Sequence, residues 1–396
     1  MKQHLISISV LLSAFLFMTE CPAIAQQSNC LTLGADRVDT VKELLTGKRV
    51  GLVVNQTSIL SADTPVHLLD TLLAVEVDVK KIFAPEHGFR GTLEAGTHVE
   101  NGVDTKTGIP IVSAYGSNNR PTAAQLNDID VLVFDIQDVG TRFYTYISTM
   151  HYMMDACAEY GKEFIVLDRP NPNDYVDGPV RKPGFESFVG VDPIPVLHGL
   201  TVGELARMIN GEGWLSERRQ CKLTVVEMLN WKHGDLYTLP VRPSPNLPNQ
   251  QAVRLYPSLC FFEGLYVSVG RGTDFPFQVL GCPDPRGGTF TFKPVVMPGF
   301  DVNPMFKDML CYGIDLREYP FEGGLSMQFV IDFFNCLDRD DELFFTRANW
   351  FDLLAGNSSL RKQIVLGFNE KEIRESWQPD LEQYQVMRKK YLLYQE

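Results

Sequence analysis

Basic clusters are nearly absent from this sequence. The longest run of Lys and Arg is Arg388-Lys389-Lys390, which reads as a solvated helix end, and the 396 residues carry a formal net charge of −13. Proteins that hold a nucleic-acid backbone present a basic face, so no nucleic acid is expected as a partner. Long apolar runs are also missing. Past the first residues nothing approaches the roughly 18 consecutive apolar positions of a membrane-spanning helix, so no stable membrane span is expected. The cysteines form no C-x-x-C pair and no zinc-ligand spacing. There is no G-x-S-x-G elbow, no phosphate-binding P-loop and no G-x-G-x-x-G fingerprint. No cofactor is therefore implied. Gly270-Arg-Gly272 follows a strand-like run, but two glycines alone do not make a phosphate loop. Asp338 to Glu342 lacks the spacing and the glycine of a calcium loop and reads as a solvated acidic turn. Internal repeats and low-complexity tracts are absent, and 31 Gly with 24 Pro is an ordinary globular share.

What is present begins at the N-terminus. Lys2 supplies a short positive region, Leu5 to Met18 is apolar apart from Ser7, Ser9 and Ser13, and Ala23-Ile24-Ala25 offers small residues for cleavage. This pattern predicts a signal peptide over residues 1–25, cut after Ala25, and a periplasmic or secreted product. Cys21 raises a lipid-anchored alternative, but Glu20 beside it fits a lipid-attachment site poorly. Seven cysteines follow: Cys30, Cys157, Cys221, Cys260, Cys282, Cys311 and Cys336. Export permits disulfides, yet an odd number leaves at least one thiol free. Cys157 lies in an apolar helical pattern and is expected in the core. Neither the pairing nor the oligomeric state is implied.

Strand-length apolar runs alternate with helical patterns through the first half. Strands are expected at 50–54, 79–84, 109–113, 131–134, 164–167 and 223–226. Helices are expected at 66–73, 148–160 and 202–209, the last capped by Thr201 with Glu204 three positions on. Continuous apolar strands between helices indicate a parallel sheet covered on both faces, hence an α/β, Rossmann-like lobe over residues 30–240. At Arg242-Pro-Ser-Pro-Asn-Leu-Pro248 the pattern turns proline-rich. Aromatic-rich strand candidates follow at 259–269 and a largely helical stretch at 371–394, forming a smaller α+β C-terminal lobe over 241–396 that completes a cleft.

In such sheets ligands lie beyond the strand C-termini. Four runs end there in polar groups: Asn55, Glu86, Asp135 with Asp138, and Asp168 with Arg169. Each alone reads as a cap or turn residue; four in parallel suggest a shared polar cleft. Carboxylates mixed with arginines and aromatics suit a sugar. Glycoside hydrolysis needs a proton donor and a second group that attacks, activates water or orients an assisting substrate group. Glu86, fixed by Pro85 and backed by Gly88, is the donor candidate. Asp135 and Asp138 are candidates for the second group, converging if the chain turns at Gly140. His87, His98, His198, Asp135 and Asp168 match no compact metal motif, so no metal site is expected.

Six segments then occur in series: Phe83-Ala-Pro-Glu-His-Gly-Phe-Arg-Gly91, Asp135-Ile-Gln-Asp-Val-Gly-Thr-Arg-Phe-Tyr-Thr-Tyr146, Asp168-Arg-Pro-Asn-Pro172, His198-Gly-Leu-Thr201, Arg242 to Pro248, and Glu263-Gly264 with Gly270-Arg-Gly-Thr-Asp274. Together they resemble the NamZ (YbbC-like) family of bacterial exo-β-N-acetylmuramidases, over nearly all of the chain after residue 25. The resemblance implies a Rossmann-like lobe without a nucleotide, and a cleft that takes terminal N-acetylmuramic acid from a peptidoglycan-derived glycan. It places Glu86 as the catalytic candidate. The lactyl carboxylate of that sugar calls for an arginine fork, for which Arg90, Arg142, Arg169, Arg242 and Arg271 are available. Asp135 or Asp138 is expected to orient the acetamido group, and Phe143, Tyr144 and Tyr146 to face the sugar ring or fill the core. Asn55, His87, Asp168, His198, Asn246 and Asp274 complete the expected substrate-binding set. The competing expectation is a non-catalytic exported protein that binds peptidoglycan fragments or sugars.

Overall fold

The apolar runs of the N-terminal half assemble into one twisted sheet. The computed structural model describes residues 30–61, 65–90, 101–116, 119–337 and 340–396. The expected signal peptide, Cys21 and His98 lie outside them. In chain order the strands are β1 (Val50–Val54), β2 (Val79–Ala84), β3 (Gly102–Val103), β4 (Pro110–Ser113), β5 (Val131–Asp135), β6 (Glu163–Leu167), β7 (Val176–Asp177), β8 (Leu197–His198), β9 (Lys222–Val226), β10 (Val279–Cys282), β11 (Phe290–Phe292) and β12 (Cys311–Asp315). The main sheet runs β3-β4-β2-β1-β5-β6-β9, parallel throughout except for the short edge strand β3. Counting only parallel strands, that is the 3-2-1-4-5-6 order of a Rossmann-like sheet. Its topological switch point falls between β1 and β5.

Alternation of side chains along each strand explains why these runs are apolar from end to end. Val131 and Val133 of β5, with Ile165 and Leu167 of β6, face one core. Leu132, Phe134, Phe164 and Val166 face the other. That second core continues without a break into the C-terminal residues Phe261, Phe262, Phe334, Phe351 and Tyr384. Residues 31–396 accordingly form one compact unit, and the core does not divide at residue 240. The C-terminal part adds the antiparallel sheet β10-β12-β11 and a set of helices ending in Glu370–Arg388.

Most elements fall where the periodicity places them. The helix Tyr146–Tyr160 starts two residues earlier than expected, and Thr201 with Glu204 forms the expected capping box. Cys157 is fully buried, and the seven cysteines in the described residues are all free thiols. One expectation fails. Residues 259–269 form no strand; they end the helix Gln250–Leu259 and continue as a 3-10 turn, Cys260–Gly264. Phe261 and Phe262 are fully buried there, and a short apolar run reads alike as a strand or a buried helix segment. No helix among the described residues is long and apolar enough to cross a membrane.

Candidate active site

The β2 strand ends at Ala84, and Pro85 to Gly88 turns the chain back, closed by the Gly88 amide donating to the Pro85 carbonyl at 2.9 Å. His87 holds a φ of +69°, a left-handed conformation that residues other than glycine rarely adopt. Such a tight turn fixes Glu86 at the C-terminal edge of the sheet. Two hydroxyls then fix its carboxylate. Tyr115, just after β4, donates to Oε1 at 2.9 Å, and Thr145, which precedes the helix after β5, donates to Oε2 at 2.6 Å. Burial and the nearby Glu86 carboxylate push the Tyr115 phenol well above its usual range, so it stays a donor.

Glu86 faces a hollow of about 430 Å³, within the usual size of a small-ligand site. One wall comes from the strand ends: Glu86, His87, Tyr115 and Tyr144 to Tyr146. The opposite wall comes from the proline-rich segment and the C-terminal region: Ser244, Asn246, Glu263, Arg271, Arg347 and Trp350. Tyr144 and Tyr146 meet edge to face with centroids 4.9 Å apart, and Tyr146 donates to the Pro243 carbonyl at 3.1 Å. Asn246 donates to the Phe300 carbonyl at 3.0 Å. Glu263 and Arg271 pair at 2.7 Å, and the Arg271 guanidinium sits 5.2 Å from the Phe277 ring centre. Among the described residues, Glu86 and Glu263 are the two carboxylates that line this hollow.

The expected second carboxylates stand elsewhere. Asp135 is fully buried and bidentate to Arg169, Nε to Oδ1 at 2.5 Å and Nη2 to Oδ2 at 2.9 Å; the same guanidinium donates to the Ile59 carbonyl at 2.9 Å. Both groups are consumed by each other, which corrects the expectation that Asp135 does chemistry and Arg169 binds substrate. Asp138 lies one layer behind the hollow. Its Oδ1 accepts from the Gly140 amide at 2.7 Å, its Oδ2 is buried without a partner, and burial pushes the carboxyl up to about 7. Its charge is felt by Tyr144 and Tyr146, which do line the hollow. Asp168 is a structural hub rather than a ligand group. It accepts from the Thr201 hydroxyl at 2.7 Å, the Gly203 amide at 2.8 Å and the Tyr394 phenol at 2.6 Å, and burial raises it to about 7.

Several other expected contacts are corrected in the same way. Arg142 is 1% exposed, and its guanidinium donates to the carbonyls of Pro179, Ile194 and Leu354 at 2.6–2.8 Å. Asn55 is fully buried and its Oδ1 accepts from the Thr57 amide and hydroxyl. His198 is pushed down to about 3 by burial, so it is a neutral core ring whose Nδ1 accepts from the Leu200 amide. Arg90 pairs with Asp104 at 2.6 Å and covers Phe89; Arg242 is exposed and covers Phe300; Asp274 is exposed. None of these lines the hollow. Among the described residues no three His, Cys, Asp or Glu side chains gather as metal ligands. Glu86, His87, Tyr144, Tyr146, Asn246 and Arg271 are brought together as expected. Tyr115, Thr145, Arg347 and Trp350 were not foreseen; Thr145 lay inside a noted segment, whereas Tyr115, Arg347 and Trp350 lie outside all six.

The comparisons with known proteins bear on the whole chain. Residues 50–251 match the N-terminal model of exo-β-N-acetylmuramidase NamZ, and residues 254–394 match its C-terminal model. The chain is 39% identical over 374 residues to the peptidoglycan β-N-acetylmuramidase NamZ of Bacillus subtilis, covering 89% of this chain and 88% of that one. Two crystal structures of DUF1343 family proteins from Bacteroides fragilis are similar in fold. One has a TM-score of 0.84 at 43% identity, covering 93% of this chain and 99% of the other; the second has 0.80 at 32%, covering 92% and 99%. The unbroken match from β1 to the last helix, together with a carboxylate turned into a sugar-sized hollow, means that this chain belongs to the NamZ family of exo-β-N-acetylmuramidases.

Proposed function

We propose that this chain is a glycosidase that releases N-acetylmuramic acid from the non-reducing ends of peptidoglycan glycans. The observation that carries the reading is Glu86, a carboxylate pinned through both oxygens at the C-terminal edge of the sheet and facing a hollow lined by tyrosines and guanidiniums. Positioned this way, Glu86 donates its proton to the glycosidic oxygen as the bond to the anomeric carbon breaks, so that a sugar leaves as an alcohol; water then supplies the new anomeric hydroxyl oxygen, and its other proton restores the carboxyl. Glu263 is the second carboxylate facing the same hollow, with its charge balanced by Arg271. The relative in Bacillus subtilis, named for activity on peptidoglycan, supports the substrate class. A substrate in the cell wall also agrees with the export signal read in residues 1–25.

The test is release of nitrophenol from 4-nitrophenyl β-N-acetylmuramide, and of both sugars from the disaccharide N-acetylmuramyl-N-acetylglucosamine, each with and without a chelator. Turnover that persists with chelator is expected. Binding of the disaccharide without turnover would establish a sugar-binding protein instead, and loss of turnover on chelation would point to a metal-dependent hydrolase.

A further inference from the structure

The lining of the hollow contains two guanidiniums, and only one of them is engaged by a carboxylate. Arg271 pairs with Glu263 at 2.7 Å. Arg347 has no carboxylate partner among the described residues; its nearest polar contact is an approach of Nη1 to the Glu263 carbonyl at 3.5 Å. The Arg347 side chain is exposed, and its guanidinium lies 5.2 Å from the centre of the Trp350 ring. Two further donors stand beside it. The Trp350 indole Nε1 is buried without a hydrogen-bond partner, and Trp350 lines the hollow. Arg347 also precedes the eight-residue helix Ala348–Ala355, which begins with no side-chain cap on its free amides. Uncapped helix starts carry a partial positive charge that favours an anion.

Glu263 is already engaged by Arg271, which leaves Arg347 as the guanidinium of this lining with no carboxylate to face among the described residues. We infer that Arg347, backed by the Trp350 ring and assisted by the uncapped helix start, receives a carboxylate of the bound sugar, namely the lactyl carboxylate of N-acetylmuramic acid. The inference rests on the muramidase reading and names the residue that makes it specific. Of the arginines favoured by sequence, Arg142 and Arg169 are consumed in the core, Arg90 and Arg242 lie outside the hollow, and Arg271 lines it but is paired with Glu263.

The experiment compares kcat/KM for nitrophenyl β-N-acetylmuramide with that for its lactyl amide, which keeps the shape and loses the charge. Wild-type protein is expected to prefer the acid by about tenfold, since the guanidinium is exposed and its pair with the ligand is only partly withdrawn from water. In Arg347→Met the ratio should fall to within about threefold of one, through loss on the acid, with the thermal midpoint close to wild type because only an exposed side chain changes. Arg347→Lys should recover part of the ratio, and Trp350→Phe should lower it less than Arg347→Met does. The inference is overturned if wild type treats acid and amide alike, if Arg347→Met keeps the wild-type ratio, or if it loses equally on both. Wild type that turns over neither compound counts against the muramidase reading itself, and the inference falls with it.

Discussion

Replacing Asp135 with Asn separates a structural carboxylate from a catalytic one. Asp135 and Arg169 are 0% and 2% exposed and meet through two parallel hydrogen bonds. An amide at position 135 keeps the shape but removes the charge and offers one acceptor in place of two. The Arg169 guanidinium then sits in a dry environment with the Ile59 carbonyl as its remaining good acceptor. Breaking a buried pair by removing one partner costs about 3–5 kcal/mol, because the surviving charge is left uncompensated. At roughly 2–4 °C per kcal/mol for chains of 150–250 residues, and less for longer ones, the thermal midpoint should drop by about 5–10 °C. The double variant Asp135→Leu with Arg169→Met removes both charges and should recover much of that loss. The assay is thermal or urea unfolding of both variants and wild type, with turnover measured well below the transition. Folded Asp135→Asn should keep kcat within a few-fold of wild type. A variant of wild-type stability whose kcat falls a hundredfold would refute the argument and return Asp135 to the chemistry.

Three other outcomes are expected. Glu86→Gln should retain folding and lose about 10²–10⁴-fold in turnover of the disaccharide, with a smaller loss on the nitrophenyl substrate, whose leaving group needs little protonation; equal losses on both would mark Glu86 as a nucleophile or orienting group. His233 lies between Asp174 and Glu204, each 3.0 Å away, with Arg388 at 3.4 Å; burial disfavours its charge but the two carboxylates outweigh that and raise it to about 9. A pKa raised from 6.5 contributes stability that is complete below about pH 6.5 and lost as pH rises through about 9, at most about 3 kcal/mol; thermal midpoints from pH 6 to 10 should show that decline in wild type and a flatter profile in His233→Gln, and parallel profiles would contradict it. Finally, N-terminal sequencing of protein exported by its host should begin at Gln26, whereas a lipidated Cys21 would make the protein membrane-anchored.

The sheet was legible because each of its parallel strands is buried on both faces and so reads as an unbroken apolar run. The position of Glu86 was legible for a related reason: a strand that stops at Pro-Glu-His-Gly must present its next side chain at the sheet edge. What the sequence could not separate was polar residues that face a ligand from polar residues that face each other. Asp135, Asp168, Arg142 and Arg169 sit in segments as conspicuous as the one holding Glu86, yet each is spent on backbone groups, on buried hydroxyls or on one another. Burying a charge demands a dedicated partner, so a structural ion pair leaves as distinct a trace in sequence as a catalytic one. Arg347 and Trp350 failed in the opposite direction. They approach the hollow from a helix about 260 residues beyond Glu86, and nothing local marks an uncapped helix start as the wall of a distant cleft.

The hub at Asp168 has a consequence for how the chain is made. The Asp168 carboxyl, just beyond β6, accepts from the Tyr394 phenol as well as from Thr201 and Gly203, and Glu204 accepts from the Leu393 amide at 2.8 Å. Both acids lie within the first 210 residues, and each takes one of its partners from far along the chain, at Tyr394 and Leu393. A nascent chain that has emerged only as far as the proline-rich segment holds all the strands of the main sheet and still lacks these two donors and the residues Phe261, Phe262, Phe334, Phe351 and Tyr384 that complete its second core. The first half should therefore reach its full stability only when those later residues have docked on it. A variant truncated before Leu393 should therefore be cleared by proteases faster than the full chain.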